Sequence, residues 1–198
     1  HDNRNWLYMT VPSSVNDVKI PTGCPNNPHV YLSNGICKNL VVDPGVVVTI
    51  SARRITVLED AFIDGKIKML GTGSGIIVTD DLTWGDDAVY ENLGTGSFFD
   101  VTGNLVFESG CDVDLTGSVT RFKGSTASVL YNHSADCMVG DVSVDKDSYT
   151  TLFYDVSSTE DLTINGNFTI NSTSKFTQHA EKQLILNGNL DVQGNFYQ

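Results

Sequence analysis

The chain has 198 residues, of which 40% are hydrophobic and 18 are glycine, and 24 acidic against 12 basic residues give a net charge of −12. This length fits one domain or one elongated repeat array, and the polar stretches are interleaved throughout with Val/Ile/Leu/Phe triplets, which excludes a disordered chain. The acidic balance excludes a nucleic-acid surface, which needs a basic stripe, and argues against binding to anionic lipid.

Residues 1–39 carry four of the five prolines (Pro12, Pro21, Pro25 and Pro28) together with Cys24 and Cys37. A solenoid exposes strand edges and core at its ends and needs a cap. The segment is expected to be that cap, fastened by a Cys24/Cys37 disulfide. The opening His1-Asp2-Asn3-Arg4 is not a signal peptide and is expected of a mature or trimmed chain. No apolar run approaches the roughly 18 residues of a membrane span, so no membrane insertion is expected.

From residue 40 the chain repeats. Leu70-Gly71-Thr72-Gly73-Ser74 returns as Leu93-Gly94-Thr95-Gly96-Ser97, and Leu115-Thr116-Gly117-Ser118 follows. The same stride leads to Gly140, to Asn165-Gly166-Asn167 and to Asn187-Gly188-Asn189. A period of about 22 residues marks a solenoid or array. Each unit holds short β-branched or aromatic runs, such as Gly75–Val78, Asn104–Phe107 and Leu184–Leu186, ended by Gly, Asn, Asp or Ser. Such runs read as strands. The predicted fold is therefore all-β: a right-handed parallel β-helix over residues 40–198, of about seven coils, continuing beyond Gln198. The Gly-Thr-Gly-Ser pieces are expected at corners that need positive φ. A leucine-rich repeat is excluded, because its Leu-x-x-Leu-x-Leu frame is absent.

Four cysteines allow three pairings. Cys111 and Cys137 lie 26 residues apart, one turn of the repeat, so they are expected above one another on adjacent coils within disulfide reach. Paired cysteines point to an oxidising, extracytoplasmic location. The long step from Gly140 to Gly166 predicts a lateral loop around Lys146–Ser158. Tyr149, Phe153 and Tyr154 within it are candidate ligand contacts, the alternative being that Leu152 and Phe153 simply form a strand.

The N-terminal and coil phrases also carry a resemblance. Asn5-Trp6, Val11-Pro12-Ser13, Asp17-Val18-Lys19-Ile20-Pro21, Asn39-Leu40-Val41-Val42 and Val48-Thr49-Ile50 follow one another in the order found in large secreted β-helix proteins of Bacteroidetes. The later Leu162–Ile170 and Leu186–Val192 resemble the coil phrase of the same proteins. This resemblance implies a secreted or cell-surface, adhesin-like protein exported by type IX secretion. The partners it suggests are a glycan, a surface protein or components of the secretion machinery. Such proteins carry a C-terminal sorting domain that these 198 residues do not include, so the chain is expected to be a fragment, or the ordered part, of something longer.

Parallel β-helices also host polysaccharide lyases and hydrolases. A lyase needs a base near a carboxylate-neutralising cation, and a hydrolase needs two facing carboxylates. The basic residues do not recur at the coil period, and no catalytic residue is assigned. Asp112/Asp114 and Asp145/Asp147 alternate along strands, so each pair shares a face and is a weak candidate for holding Ca²⁺. No other cofactor is expected, and no Gly-x-Ser-x-Gly or phosphate-binding loop is present. The reading is a non-enzymatic structural or adhesive rod at the extracellular or outer cell surface, with a carbohydrate-active β-helix or an accessory secretion partner as alternatives.

Overall fold

The structure, a computed structural model, describes residues 12–178 and 181–198. These residues contain no helix. They form 24 strands paired only in parallel, a β-solenoid of about eight turns.

Coil 1 comprises β1 (Val18–Ile20), β2 (His29–Val30) and β3 (Gly35–Cys37), and coil 2 comprises β4 (Leu40–Val42), β5 (Val47–Ser51) and β6 (Arg54–Val57). Coil 3 holds β7 (Ala61–Ile63), β8 (Lys66–Leu70) and β9 (Gly75–Val78), and coil 4 holds β10 (Leu82–Trp84), β11 (Val89–Asn92) and β12 (Ser97–Val101). In coil 5, β13 (Leu105–Phe107) and β14 (Ser118–Gly124) flank isolated bridges at Asp112 and Asp114. Coil 6 runs through β15 (Ser128–Asn132), β16 (Met138–Val139) and β17 (Asp141–Lys146), and coil 7 through β18 (Thr151–Tyr154), β19 (Leu162–Ile164) and β20 (Phe168–Ile170). β21 (Lys175–Gln178), β22 (Leu184–Leu186) and β23 (Leu190–Val192) make coil 8, and β24 (Asn195–Tyr197) starts the next.

Equivalent strands stack into three faces. Face 1 is a nine-stranded sheet from β1 to β24, and face 3 an eight-stranded sheet from β3 to β23. Face 2 consists of β2-β5-β8-β11 and β16-β19-β22, joined through the bridges of coil 5. The described part of the segment expected to be a cap is thus itself coil 1, with β1, β2 and β3 in register on β4, β5 and β6.

Alternation dictates the packing. In strands β4 to β8 every second residue points inward, and Val42, Val48, Ile50, Val57, Ile63 and Ile67 are enclosed. Coil 4 holds Trp84, Tyr90 and Phe99, whose rings meet edge-on at 5.3–6.3 Å between centroids.

The Leu-Gly-Thr-Gly-Ser copies are corners between faces 2 and 3. Gly71, Gly73 and Gly96 adopt φ of 80°, 72° and 64°, the left-handed region expected of them. Gly94 is needed for a different reason: a Cβ there would stand 2.1 Å from the carbonyl oxygen of Gly71 in the coil beneath. Ser74 turns inward, and its hydroxyl donates to the carbonyls of Leu70 and Ile50.

Cys111 and Cys137 form the expected disulfide between coils 5 and 6, with Cα atoms 6.7 Å apart. The Cys24/Cys37 pairing is corrected, because both are free thiols. Cys37 is an inward core residue of β3, its thiol pushed up to about 11 by burial and then by Asp17, while the Cys24 thiol donates to the carbonyl of Asn26. The region predicted as a lateral loop contains the regular strand β18, and the extra residues of its coil fall in the connection 155–161.

Candidate binding surface

The register that buries one set of side chains aligns the alternate set on the outside. On face 1 the pairings β4–β7, β7–β10, β10–β13 and β13–β15 stack Val41, Phe62, Thr83, Val106 and Tyr131 in one outward column. Five successive coils thus present no charge, over a height of roughly 19 Å at the ~4.8 Å strand spacing. A second column joins Val129, Phe153, Thr177 and Tyr197. Phe62 is 40% exposed. Its ring lies across coil 4 at Gly85, where a Cβ would come within 3.0 Å of Phe62 Cζ.

Acids line both long edges of this face. At the leading edge an Asx ladder runs up the stack. Asn39 donates to Asp17 and accepts from the Asp60 amide; Asp60 accepts from the Asp81 amide, and Asp81 from the Asn104 amide at 2.7 Å. Each side chain satisfies a backbone N–H of the next coil at a corner where the sheet offers no partner. Asp80 joins this edge. Its carboxyl is raised by desolvation and by the neighbouring Asp81, Asp60 and Glu59 charges. The trailing edge carries Asp43, Asp64, Asp86, Asp87 and Glu108, and Asp64 accepts from the Asp87 amide at 2.9 Å.

The three aromatic candidates are separated by the fold. Phe153 faces outward and, with Val129, Asp155 and Val156, lines a shallow depression on face 1. Tyr149 is 56% exposed at a corner, with Lys175 Nζ 5.9 Å from its ring centroid. Ser148 and Tyr149 both hold positive φ there. Tyr154 is corrected as a ligand contact: strand parity turns it inward, it is fully buried, and its hydroxyl donates to the carbonyl of Glu160 at 2.7 Å. Phe62 and Tyr131, one column over, are aromatics that the sequence analysis did not single out, and Tyr131 stacks with His133 at 6.3 Å between centroids.

Asp112 and Asp114 point outward on coil 5, and Asp114 accepts from the Thr116 amide. Asp145 accepts from the Asn171 amide group, and Asp147 is exposed after the end of β17. Neither pair is joined by a third acid at ligating distance among the described residues. The trio that does converge, one oxygen each within 4.8 Å, is Asp60, Asp80 and Asp81. Two of its members already serve the corner ladder.

Face 3 gathers charge of both signs. Asp100 receives Arg121 and Lys123 from the coil above, and Arg121 also lies 4.6 Å over the Phe98 ring. On face 2, Glu91 holds Lys66 and Lys68, and its carboxyl is lowered chiefly by the hydrogen bond from Lys66, then by that from Lys68. The bases themselves do not recur at the coil period, because the recurrence is of opposite charges: Asp100 and Arg121 are 21 residues apart, Lys68 and Glu91 are 23. With the geometry in place, the chain was compared with known proteins, and it matches no family model, no curated protein and no solved structure.

Proposed function

We propose that the chain is a non-enzymatic, secreted or surface-attached β-solenoid that holds a binding surface, face 1, on a stiff stack of coils. The observation that carries this reading is the outward column Val41–Phe62–Thr83–Val106–Tyr131, uncharged over five coils of a chain whose net charge is −12. An apolar outward stripe is costly in water and is retained where a partner covers it. The stacked core supplies stiffness, since every coil is hydrogen-bonded to the next along three faces. The Cys111–Cys137 disulfide favours an extracytoplasmic location. The resemblance to secreted Bacteroidetes β-helix proteins points the same way, with a glycan, a surface protein or a secretion component as partner.

A carbohydrate-active reading is favoured by one observation, the Arg121/Lys123/Asp100 group on face 3. Both bases are spent on the same carboxylate, which leaves neither as a free proton acceptor for lyase chemistry. Incubation with neutral and acidic polysaccharides separates the two readings. Retention without new reducing or unsaturated ends supports the binding rod, and new ends overturn it.

A further inference from the structure

We infer that face 1 docks a protein surface with an apolar centre and lysine or arginine on both flanks. This inference rests on the reading of face 1 as the presenting surface and adds the chemistry of the partner. The argument is one of shape and charge. Across the face, the leading and trailing acids are separated by a three-residue strand, so Asp60 and Asp64 stand roughly 13 Å apart along the chain at ~3.3 Å per residue. Between them lie Val41, Phe62, Thr83 and Val106, without a charge.

The rims are not neutralised from within. At the first coils Lys19 pairs with Asp43 and Lys38 with Glu59. From coil 3 to coil 5, by contrast, none of Asp60, Asp80, Asp81, Asp64, Asp86 and Glu108 is in an ion pair among the described residues. The Asp80 carboxyl is raised first by desolvation and then by the neighbouring Asp81, Asp60 and Glu59 charges. Two parallel lines of negative charge bounding a low-polarity strip concentrate the field over that strip, which attracts cations and repels acidic polymers. An acidic polysaccharide is therefore disfavoured. The strip itself is uncharged, with Val41 and Val106 beside the exposed Phe62 ring, an apolar centre of the kind that protein side chains cover. A strand or helix crossing the face with basic residues at both ends meets both requirements.

The test uses the whole chain and a short labelled peptide with lysines at both ends and a Val/Phe centre. Two control peptides carry glutamates at the ends or serines in the centre. Fluorescence anisotropy is expected to show binding of the lysine-flanked peptide alone, weakening at least about tenfold as salt is raised well beyond ~0.15 M, where charges are screened over about 8 Å. Binding is expected to fall by a further factor of about ten in Phe62→Ser with Val106→Ser, and severalfold in Asp86→Asn with Glu108→Gln. All four positions are outward, and circular dichroism checks that each variant keeps its strands. Equal binding of the glutamate-flanked or serine-centred peptide, indifference to Phe62→Ser with Val106→Ser, or no binding of any peptide overturns the inference. If those same face 1 changes still abolish retention on a glycan, the partner chemistry alone falls. If they change retention on nothing, the presenting role of face 1 falls with it.

Discussion

Replacing Lys146 with methionine tests the packing logic at its most exposed assumption, a lysine wholly enclosed at the corner between faces 3 and 1. Lys146 ends β17 at a position whose parity points inward. Its ammonium donates to the carbonyls of Thr102 and Lys123, at 2.7 and 2.6 Å, and to the hydroxyl of Ser128. Burial pulls it from its ordinary 10.5 down to about 8, with Asp147 opposing the change. Between those two values the unfolded chain holds the proton and the folded chain has released it, so folding stability rises with pH across this window. The full span, 10.5 − 8, is worth about 3 kcal/mol, and between pH 7 and pH 9.5 about 2 kcal/mol of it is recovered. Methionine has similar length and no charge. At pH 7 it removes the desolvation cost but takes the ammonium from the Lys123 carbonyl, at about 1–3 kcal/mol, while the Thr102 carbonyl keeps the Ser128 hydroxyl as donor, so the variant is expected to be about as stable as the wild type. The assay is urea unfolding of both proteins from pH 7 to pH 9.5. The Cys37 thiol and the hydroxyls of Tyr90 and Tyr154, pushed up to about 11, 12 and 12, erode stability as pH climbs beyond their ordinary values, but they are common to both chains and cancel in the difference. The wild type is expected to gain about 2 kcal/mol on the variant over this range. A difference that stays flat or shrinks refutes the enclosed, depressed ammonium.

Three further outcomes follow from the coil geometry. Gly94→Ala forces a methyl against the Gly71 carbonyl and is expected to cost about 1–3 kcal/mol, read as a drop of several degrees in Tm; an unchanged Tm contradicts the close stacking at this corner. Titration of thiols in denatured, unreduced protein should find the two of Cys24 and Cys37, and reduction should expose the other pair and lower stability by up to about 3.5 kcal/mol for a 26-residue loop; no free thiol before reduction would restore the second disulfide. Asp81→Ala removes the acceptor for the Asn104 amide and side chain and is expected to cost about 1–3 kcal/mol in chemical unfolding, whereas Asp81→Asn, which keeps an oxygen there, should cost less.

The repeat was legible because a solenoid places the same physical demand at every turn: a corner that needs glycine, an inward residue that must be apolar, a cysteine one coil above its partner. Leu70–Ser74 and Leu93–Ser97 show this as an identical text, and Cys111/Cys137 could be paired from one coil length. Parity was harder to read. Tyr154 and Phe153 are neighbours in sequence but face opposite ways, and only the register with Leu130 and Val129 decides which is buried. Lys146 was hidden for the same reason, since a lysine at an inward position looks like any surface lysine until the carbonyls of Thr102 and Lys123, from two other coils, are seen around it. The prolines and cysteines of residues 1–39 suggested a cap; within the described part, 12–39, Val18, Ile20, Val30 and Cys37 supply inward positions of coil 1, and residues 1–11 lie outside the described residues. The face 1 column was invisible along the chain because Val41, Phe62, Thr83 and Val106 are ordinary strand residues. They become a surface only when stacked.

The most direct measurement compares retention of three chains on immobilised cell-surface proteins and polysaccharides: the wild type, Phe62→Ser with Val106→Ser on face 1, and Arg121→Ser with Lys123→Ser on face 3. Loss of retention by the face 1 variant alone, with no new polysaccharide ends from any chain, is the predicted result. Loss by the face 3 variant alone, or polysaccharide cleavage that disappears in it, would contradict the account and make the Asp100 group the working site.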